Sequence, residues 1–289
     1  MRIVATHFTD PGCPWAYSAR PWHAALRWRF GDQLDWRLVM IGLAESAERY
    51  EARGYTPERQ VASNRIFAER FGMPFAYEPK ARLSGTSPGC RAVVAARLRD
   101  PALAEAALRA LQDLQFTTTA RLEDRAALRG ALATIGAGDL ADRIDDPDVL
   151  AAYEQDRALA RTAAGKPTDV QGRAASTDGA VRYTAPSVIF EHPTGARIEV
   201  GGFQPLEAYD TALANLAPQL ERRAPSADLE AVLGAFPEGL VTAEIAWIAK
   251  TDLGALDLDG TRSALQAAAD AGPVRRTALG DDARWSLAQ

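Results

Sequence analysis

The β-branched run Arg2–Phe8 (RIVATHF) breaks after Thr9 into Asp10-Pro11-Gly12-Cys13-Pro14-Trp15, where the pattern turns helical. No other stretch limits the fold as much. Residues 14–30 have helix-compatible spacing, with Trp15, Trp22, Leu26 and Phe30 as core contacts. Gly31 suits the helix end. Leu34–Leu43 (LDWRLVMIGL) reads as a second strand. A helix between two strands predicts a parallel pair with a right-handed crossover.

Residues 57 to about 165 read as almost continuous helix, with Ser87 and Pro88 as an N-cap and N1 pair. No fixed repeat period is visible, so this is a helical insertion. The β texture returns at Val181 in VRYTAPSVIF, with Pro186 near its middle, and again in GARIEVGG. Pro193 and Gly195 suit the intervening turn, and an amphipathic helix follows over 205–216. Residues 222–229 (RRAPSADL) read as a linker. Beyond it come three helices, the second capped by Thr242 and the third stopped by Gly272, and a hairpin about Gly280-Asp281-Asp282. That order is a winged-helix pattern. The expected fold class is therefore α/β: a β-α-β unit and a β-β-α unit over 1–221 around a large helical insertion (about 57–175), plus a small C-terminal winged-helix-like domain (222–289).

Several functions are disfavoured by composition. The 289-residue chain is 47% apolar and 25% charged, with a net charge of −5, which argues against a general nucleic-acid binder. Residues 225–289 carry five basic and ten acidic side chains, so the tail offers few phosphate contacts; a protein contact, a second copy of the chain or a lid over the first domain fits it better. No apolar run reaches the roughly 18 residues of a membrane span, and no secretory leader pattern is present. Two cysteines fit a reducing, cytoplasmic compartment. The three histidines show no metal-ligand spacing.

DPGCPWAYS at a helix start, followed some 170 residues later by YTAPSVIF, resembles the DsbA-like branch of the thioredoxin superfamily, in particular its cytoplasmic FrnE-related members. That wider group includes kappa-class glutathione transferases and 2-hydroxychromene-2-carboxylate isomerases. The resemblance covers roughly residues 1–220. It implies a thioredoxin-like fold over 1–221, a catalytic Cys13, a cis Pro186 facing it, and substrate binding by Pro14, Trp15, Thr184, Ala185 and Pro186, with the Ala185 backbone pairing to a peptide or to a thiol such as glutathione. Dithiol members carry a second cysteine where this chain has Ala16. A two-thiol cycle within the motif is therefore impossible.

Cys13 at a helix N-terminus is expected to have a thiol pKa below the free value of about 8.5. Without a thiol at 16, a mixed disulfide on Cys13 needs an outside resolver. A low-molecular-weight thiol can supply it, and Cys90 is the internal alternative. No tightly bound cofactor or metal is expected. Tyr17, Ser18, Ser87 and Tyr183 are polar candidates for the pocket, and His7 could tune the thiolate as an imidazolium. The leading expectation is a thiol–disulfide oxidoreductase acting through Cys13 on a small thiol or a thiol-containing protein. The alternatives are a thiol-dependent isomerase or transferase, and a non-catalytic binding scaffold.

Overall fold

A computed structural model describes residues 1–177, 179–251 and 255–288. The first sheet has the strand order β2-β1-β3-β4, with β1 Ile3–Thr9, β2 Leu34–Met40, β3 Ser187–Glu191 and β4 Arg197–Val200. β1 and β2 run parallel, Ala5 opposite Trp36, while β3 lies antiparallel on the other side of β1 and pairs in turn with β4. The helix between β1 and β2 is split into α1 (Pro14–Ser18) and α2 (Arg20–Phe30). Pro21 has no N–H to donate, and its ring excludes the carbonyl four residues earlier, so the helix restarts at Arg20. Gly31, at φ 51°, ends α2 as its sequence suggests.

The insertion holds α3 (Glu48–Glu51), α4 (Pro57–Phe71), α5 (Ser87–Arg99), α6 (Leu103–Thr117), α7 (Arg125–Ala133), α8 (Pro147–Ala160) and α9 (Pro167–Val170). It is not continuous helix: residues 72–86 are almost entirely irregular. Gly72 closes α4 in the left-handed region at φ 69°, and Pro74 and Pro79 prevent a restart. This stretch is nevertheless buried at Met73 and Phe75, and its Ala76 N–H donates to the Phe116 carbonyl at 2.8 Å.

The strand expected across 181–190 begins only at Ser187. Residues 181–186 pair elsewhere. The Tyr183 N–H donates to the Ala160 carbonyl (2.9 Å), and Arg182 exchanges backbone bonds with Ala175. Helix α10 (Leu206–Leu216) then packs on the β3–β4 face.

The tail consists of α11 (Leu229–Gly234), β5 (Leu240–Val241), α12 (Thr242–Ala249), α13 (Leu258–Ala271), β6 (Val274–Leu279) and β7 (Asp282–Leu287). Its three strands form an antiparallel sheet in the order β5-β7-β6. Thr242 does not cap α12: its hydroxyl accepts the Trp285 indole N–H at 3.0 Å, and the Glu244 carboxylate takes the Val241 N–H instead. Nor is the linker loose. The Arg223 N–H donates to the Arg29 carbonyl and the Trp28 indole to the Ala224 carbonyl, each at 2.8 Å.

One apolar cluster runs through both regions, from Ile3, Trp22, Leu26 and Phe190 to Val232, Leu233, Ile245, Leu265 and Trp285. Buried charges bind the same seam. Arg20 of α2 contacts Asp113 of α6 (2.5 Å) and Glu244 of α12 (3.3 Å), Arg109 of α6 grips Glu244 through both carboxylate oxygens (2.7 and 3.0 Å), and Arg284 of β7 reaches Asp113. Burial alone would raise the Glu244 pKa, but Arg109 and Arg20 outweigh it and hold the carboxyl down to about 2. The turn between β6 and β7 adds a third tie: the Asp281 carboxylate accepts the Phe75 N–H at 2.8 Å, and the Asp281 N–H donates to the Phe75 carbonyl.

Candidate active site

Cys13 is the residue before the first turn of α1, at φ −89° and ψ 115°. Asp10 fixes it there. Its carbonyl accepts the Cys13 N–H (3.1 Å), and its carboxylate accepts the Gly12 N–H (2.8 Å) through one oxygen. The other oxygen takes the Leu43 N–H (2.8 Å), the Thr86 hydroxyl (2.9 Å) and the Cys90 thiol (3.4 Å). One buried carboxyl thus ties the strand–helix junction to the loop after β2 and to the start of α5. Burial raises the Asp10 pKa, against the lowering effect of these donors.

The Ala185–Pro186 peptide bond is cis, and the Cys13 thiol donates to the Ala185 carbonyl at 3.2 Å. The two motifs are thus brought together across 172 residues of chain. The loop is anchored from behind: the Ser187 hydroxyl donates to the Thr184 carbonyl (2.7 Å) and accepts the Gly202 N–H (2.9 Å), while the Thr184 hydroxyl donates to the Arg173 carbonyl (2.9 Å). Cys13, Pro14, Trp15, Thr184 and Ala185 all line one cavity of about 370 Å³. Pro186 lies buried behind it. Trp15 forms a wall, edge-on to Phe67 (4.7 Å) and Phe203 (4.8 Å). A larger open groove of about 630 Å³ runs between the end of α2 and residues 221–223, but it has neither cysteine nor histidine in its lining.

The expected thiolate is not what the site favours. Burial is the dominant influence and pushes the Cys13 thiol up to about 12, reinforced by the nearby Asp10. The amides of Ala16 and Trp15 and the Arg182 guanidinium act in the opposite direction and are outweighed. The helix-start effect is real but smaller than desolvation. Cys13 rests as a thiol that donates a hydrogen bond to the Ala185 carbonyl. Cys90 is fully buried, free, and raised well above its ordinary value by burial and by Asp10, so it presents no resolving thiolate.

Other polar candidates prove structural. Tyr17 donates to the Pro74 carbonyl (2.8 Å) and stacks on Phe116, and Ser87 shares a hydrogen bond with Tyr153 (2.7 Å). Tyr183 stacks on Phe8 and donates to Glu199 (3.1 Å), and Ser18 is buried with no partner for its hydroxyl. His7 is no imidazolium: burial, then Arg27, lowers its pKa to about 3, and its ring meets His23 edge-on at 4.4 Å. Burial likewise lowers His23 well below its usual value. Both rings are neutral in the fold and charge in the unfolded chain below about pH 6.5. Stability should therefore be intact above that pH and fall steadily toward pH 3. In His7→Phe, urea midpoints between pH 6.5 and 4 should slope less than in the parent; an unchanged slope would contradict the assignment. Among the described residues no cluster of His, Cys, Asp and Glu could hold a metal.

Sequence reasoning missed Asp10, Tyr50, Gln60, Gln115 and Arg182. The last four line the cavity from the insertion and from the loop before Pro186. No protein-family model matches the sequence, and no curated protein matches it. Solved structures do. A candidate protein disulfide isomerase from Nitrosomonas europaea superposes with a TM-score of 0.58 at 17% identity, covering 76% of this chain and 99% of that one. The cytosolic disulfide reductase DsbM from Pseudomonas aeruginosa gives 0.52 at 21% identity, covering 75% and 98%. The same protein solved with GSH gives 0.51.

The chain has a thioredoxin-like fold.

Within this fold the helix-start cysteine stands against the cis-proline loop, and Ala16, three residues on, is itself buried. No helix among the described residues is long and apolar enough to cross a membrane.

Proposed function

We propose that the protein is a single-cysteine thiol–disulfide oxidoreductase of the DsbA-like kind, working in the reducing direction with a small thiol such as glutathione or an equivalent. The observation that carries this reading is the Cys13 thiol bonded to the Ala185 carbonyl on the wall of a cavity large enough for a small thiol. Two solved structures of similar fold, both of one cytosolic disulfide reductase and one of them with GSH, add support.

The resting hydrogen bond suggests how a protonated cysteine becomes a nucleophile. A docked substrate's N–H competes with the thiol for the Ala185 carbonyl. Losing that acceptor removes a bond that favours the neutral thiol, so docking and activation are coupled. The thiolate then attacks one sulfur of the substrate disulfide, forming a Cys13 mixed disulfide and expelling the other sulfur as a thiolate. A small thiolate next attacks the substrate sulfur of that mixed disulfide and leaves with the substrate as a new disulfide, expelling Cys13 as a thiolate that regains a proton from water. Strong oxidants of this fold owe their power to a stabilised thiolate. Here burial withholds that stabilisation, which favours reduction.

In a reductant-coupled assay, Cys13→Ser should abolish turnover of a small-thiol mixed disulfide, and Cys90→Ala should leave it nearly intact. Turnover that survives Cys13→Ser would refute the mechanism. The raised thiol also favours a rival, a scaffold in which Cys13 does not react; failure of folded protein to accept any disulfide would select it. The tail, winged-helix-like in element order, we read as part of the catalytic body. Arg262 on α13, the one basic residue of the helix that would enter DNA, is paired with Asp259 (3.1 Å) and Asp282 (3.5 Å).

A further inference from the structure

Exchange at Cys13 expels the second sulfur of the incoming disulfide as a thiolate, into a cavity where Cys13 itself is only 5% exposed. Negative charge forming there is poorly solvated, so a hydrogen-bond donor beside it speeds the step. Several donors of the cavity are already committed. The Thr184 and Ser84 hydroxyls donate to the Arg173 (2.9 Å) and Gly85 (3.0 Å) carbonyls, and the Arg182 guanidinium to the Tyr183 carbonyl (3.1 Å) and the Thr177 hydroxyl (3.2 Å). Ser63 and Tyr55 are exposed.

Tyr50 differs. It lines the same cavity, it is half-buried with its ring edge-on to Tyr55 at 6.0 Å, and its hydroxyl is neither enclosed nor bonded within the protein. Helix α3, which carries it, is fixed on both sides. Arg82 pairs with Glu48 and Glu51, and the side chains of Arg49 and Arg53 both donate to the Thr177 carbonyl (3.4 and 2.9 Å). Burial raises the Tyr50 pKa far above its ordinary value, and charge on Asp10 or Cys13 adds to that rise. The phenol therefore keeps its proton and stands within electrostatic reach of the Cys13 sulfur. We propose that Tyr50 is a catalytic residue for exchange: its hydroxyl donates a hydrogen bond to the sulfur that Cys13 displaces. The substrate S–S bond breaks as the bond from Cys13 to sulfur forms. The expelled sulfur leaves with the electron pair and takes its proton from water, not from Tyr50. Displacement at sulfur is in line, so the small thiolate of the second step enters at the vacated position and meets the same hydroxyl. This rests on the exchange reading above and adds a residue to it.

The demand for a donor grows with the basicity of the leaving sulfur, which separates this role from a structural one. Formation of the Cys13 mixed disulfide in the full chain, followed by intact mass with Cys13→Ser as the blank, compares two probes. Bis(2-hydroxyethyl) disulfide expels a basic alkyl thiolate; 2,2′-dithiodipyridine expels a thione that needs no donor. Tyr50→Phe removes only an oxygen that bonds to nothing in the protein, so the fold is kept. It should slow reaction with the first probe about tenfold and leave the second within about twofold of the parent. Alkylation by iodoacetamide, whose leaving group is iodide, should also match the parent. An unchanged rate with the first probe would overturn the proposal, as would equal slowing with every reagent. A parent that accepts both disulfides, with a Tyr50→Phe variant that loses nothing, defeats only the role of Tyr50. A parent that accepts neither defeats the exchange reading, and this role with it.

Discussion

Glu244→Ala should destabilise the protein by about 3–5 kcal/mol, because it leaves Arg20 and Arg109 buried without their shared carboxylate. Replacing both partners of a buried pair can be nearly neutral; removing one is not. The loss should appear as a lower urea midpoint and a Tm lower by roughly 10 °C. The same carboxyl gives the effect a pH signature. Its folded pKa of about 2 lies below its unfolded value, so its contribution is complete above about pH 4.5 and is lost as pH falls toward 2. The variant should accordingly lack that part of the parent's acid transition. A midpoint within experimental error of the parent would mean the seam between tail and body is held by apolar contacts alone.

The second large effect concerns the rate of Cys13 alkylation against pH, followed by intact mass with Cys13→Ser as the blank. With the thiol pushed up to about 12, labelling of the folded protein should still be climbing at pH 10, where a free cysteine has already levelled off. The rate should rise about tenfold per pH unit across the neutral range, as expected for reaction through a minor thiolate. A plateau near pH 7 would show that the helix-start amides prevail over burial. It would also reverse the argument for the reducing direction.

How much was legible beforehand follows a physical division. Strand β1, the parallel β1–β2 pair, the break at Cys13 and the β3–β4 hairpin with its turn at Gly195 are local patterns, and periodicity and turn residues reveal them. Pro186 was identified through its motif. The irregular stretch at 72–86 was read as helix even though Gly72, Pro74, Pro79 and Gly85 stand in the sequence as breakers. Its order comes from partners far away, the Phe116 carbonyl and Asp281, which no window can see. The direction of the Cys13 shift was missed for a related reason. The dipole at a helix start is local and legible, whereas desolvation depends on everything that folds over it. Asp10 carries no local signal of its role, and only the fold shows it joining three segments. Gln60 and Gln115 lie 55 positions apart on separate helices, with no motif to join them.

The charged seam also has a consequence in time. Arg20, Arg109 and Asp113 leave the ribosome well before Glu244 and Arg284, so for a long interval of synthesis two cations and one anion have no complete set of partners to bury against. In the complete fold those groups are buried against the tail's Glu244 and Arg284. Contacts spanning 224 residues, such as Arg20 to Glu244, make this a slow, late-committing topology. A chain stalled or clipped before Glu244 would leave Arg20 and Arg109 without their shared carboxylate, and should be cleaved by proteases faster than the full chain.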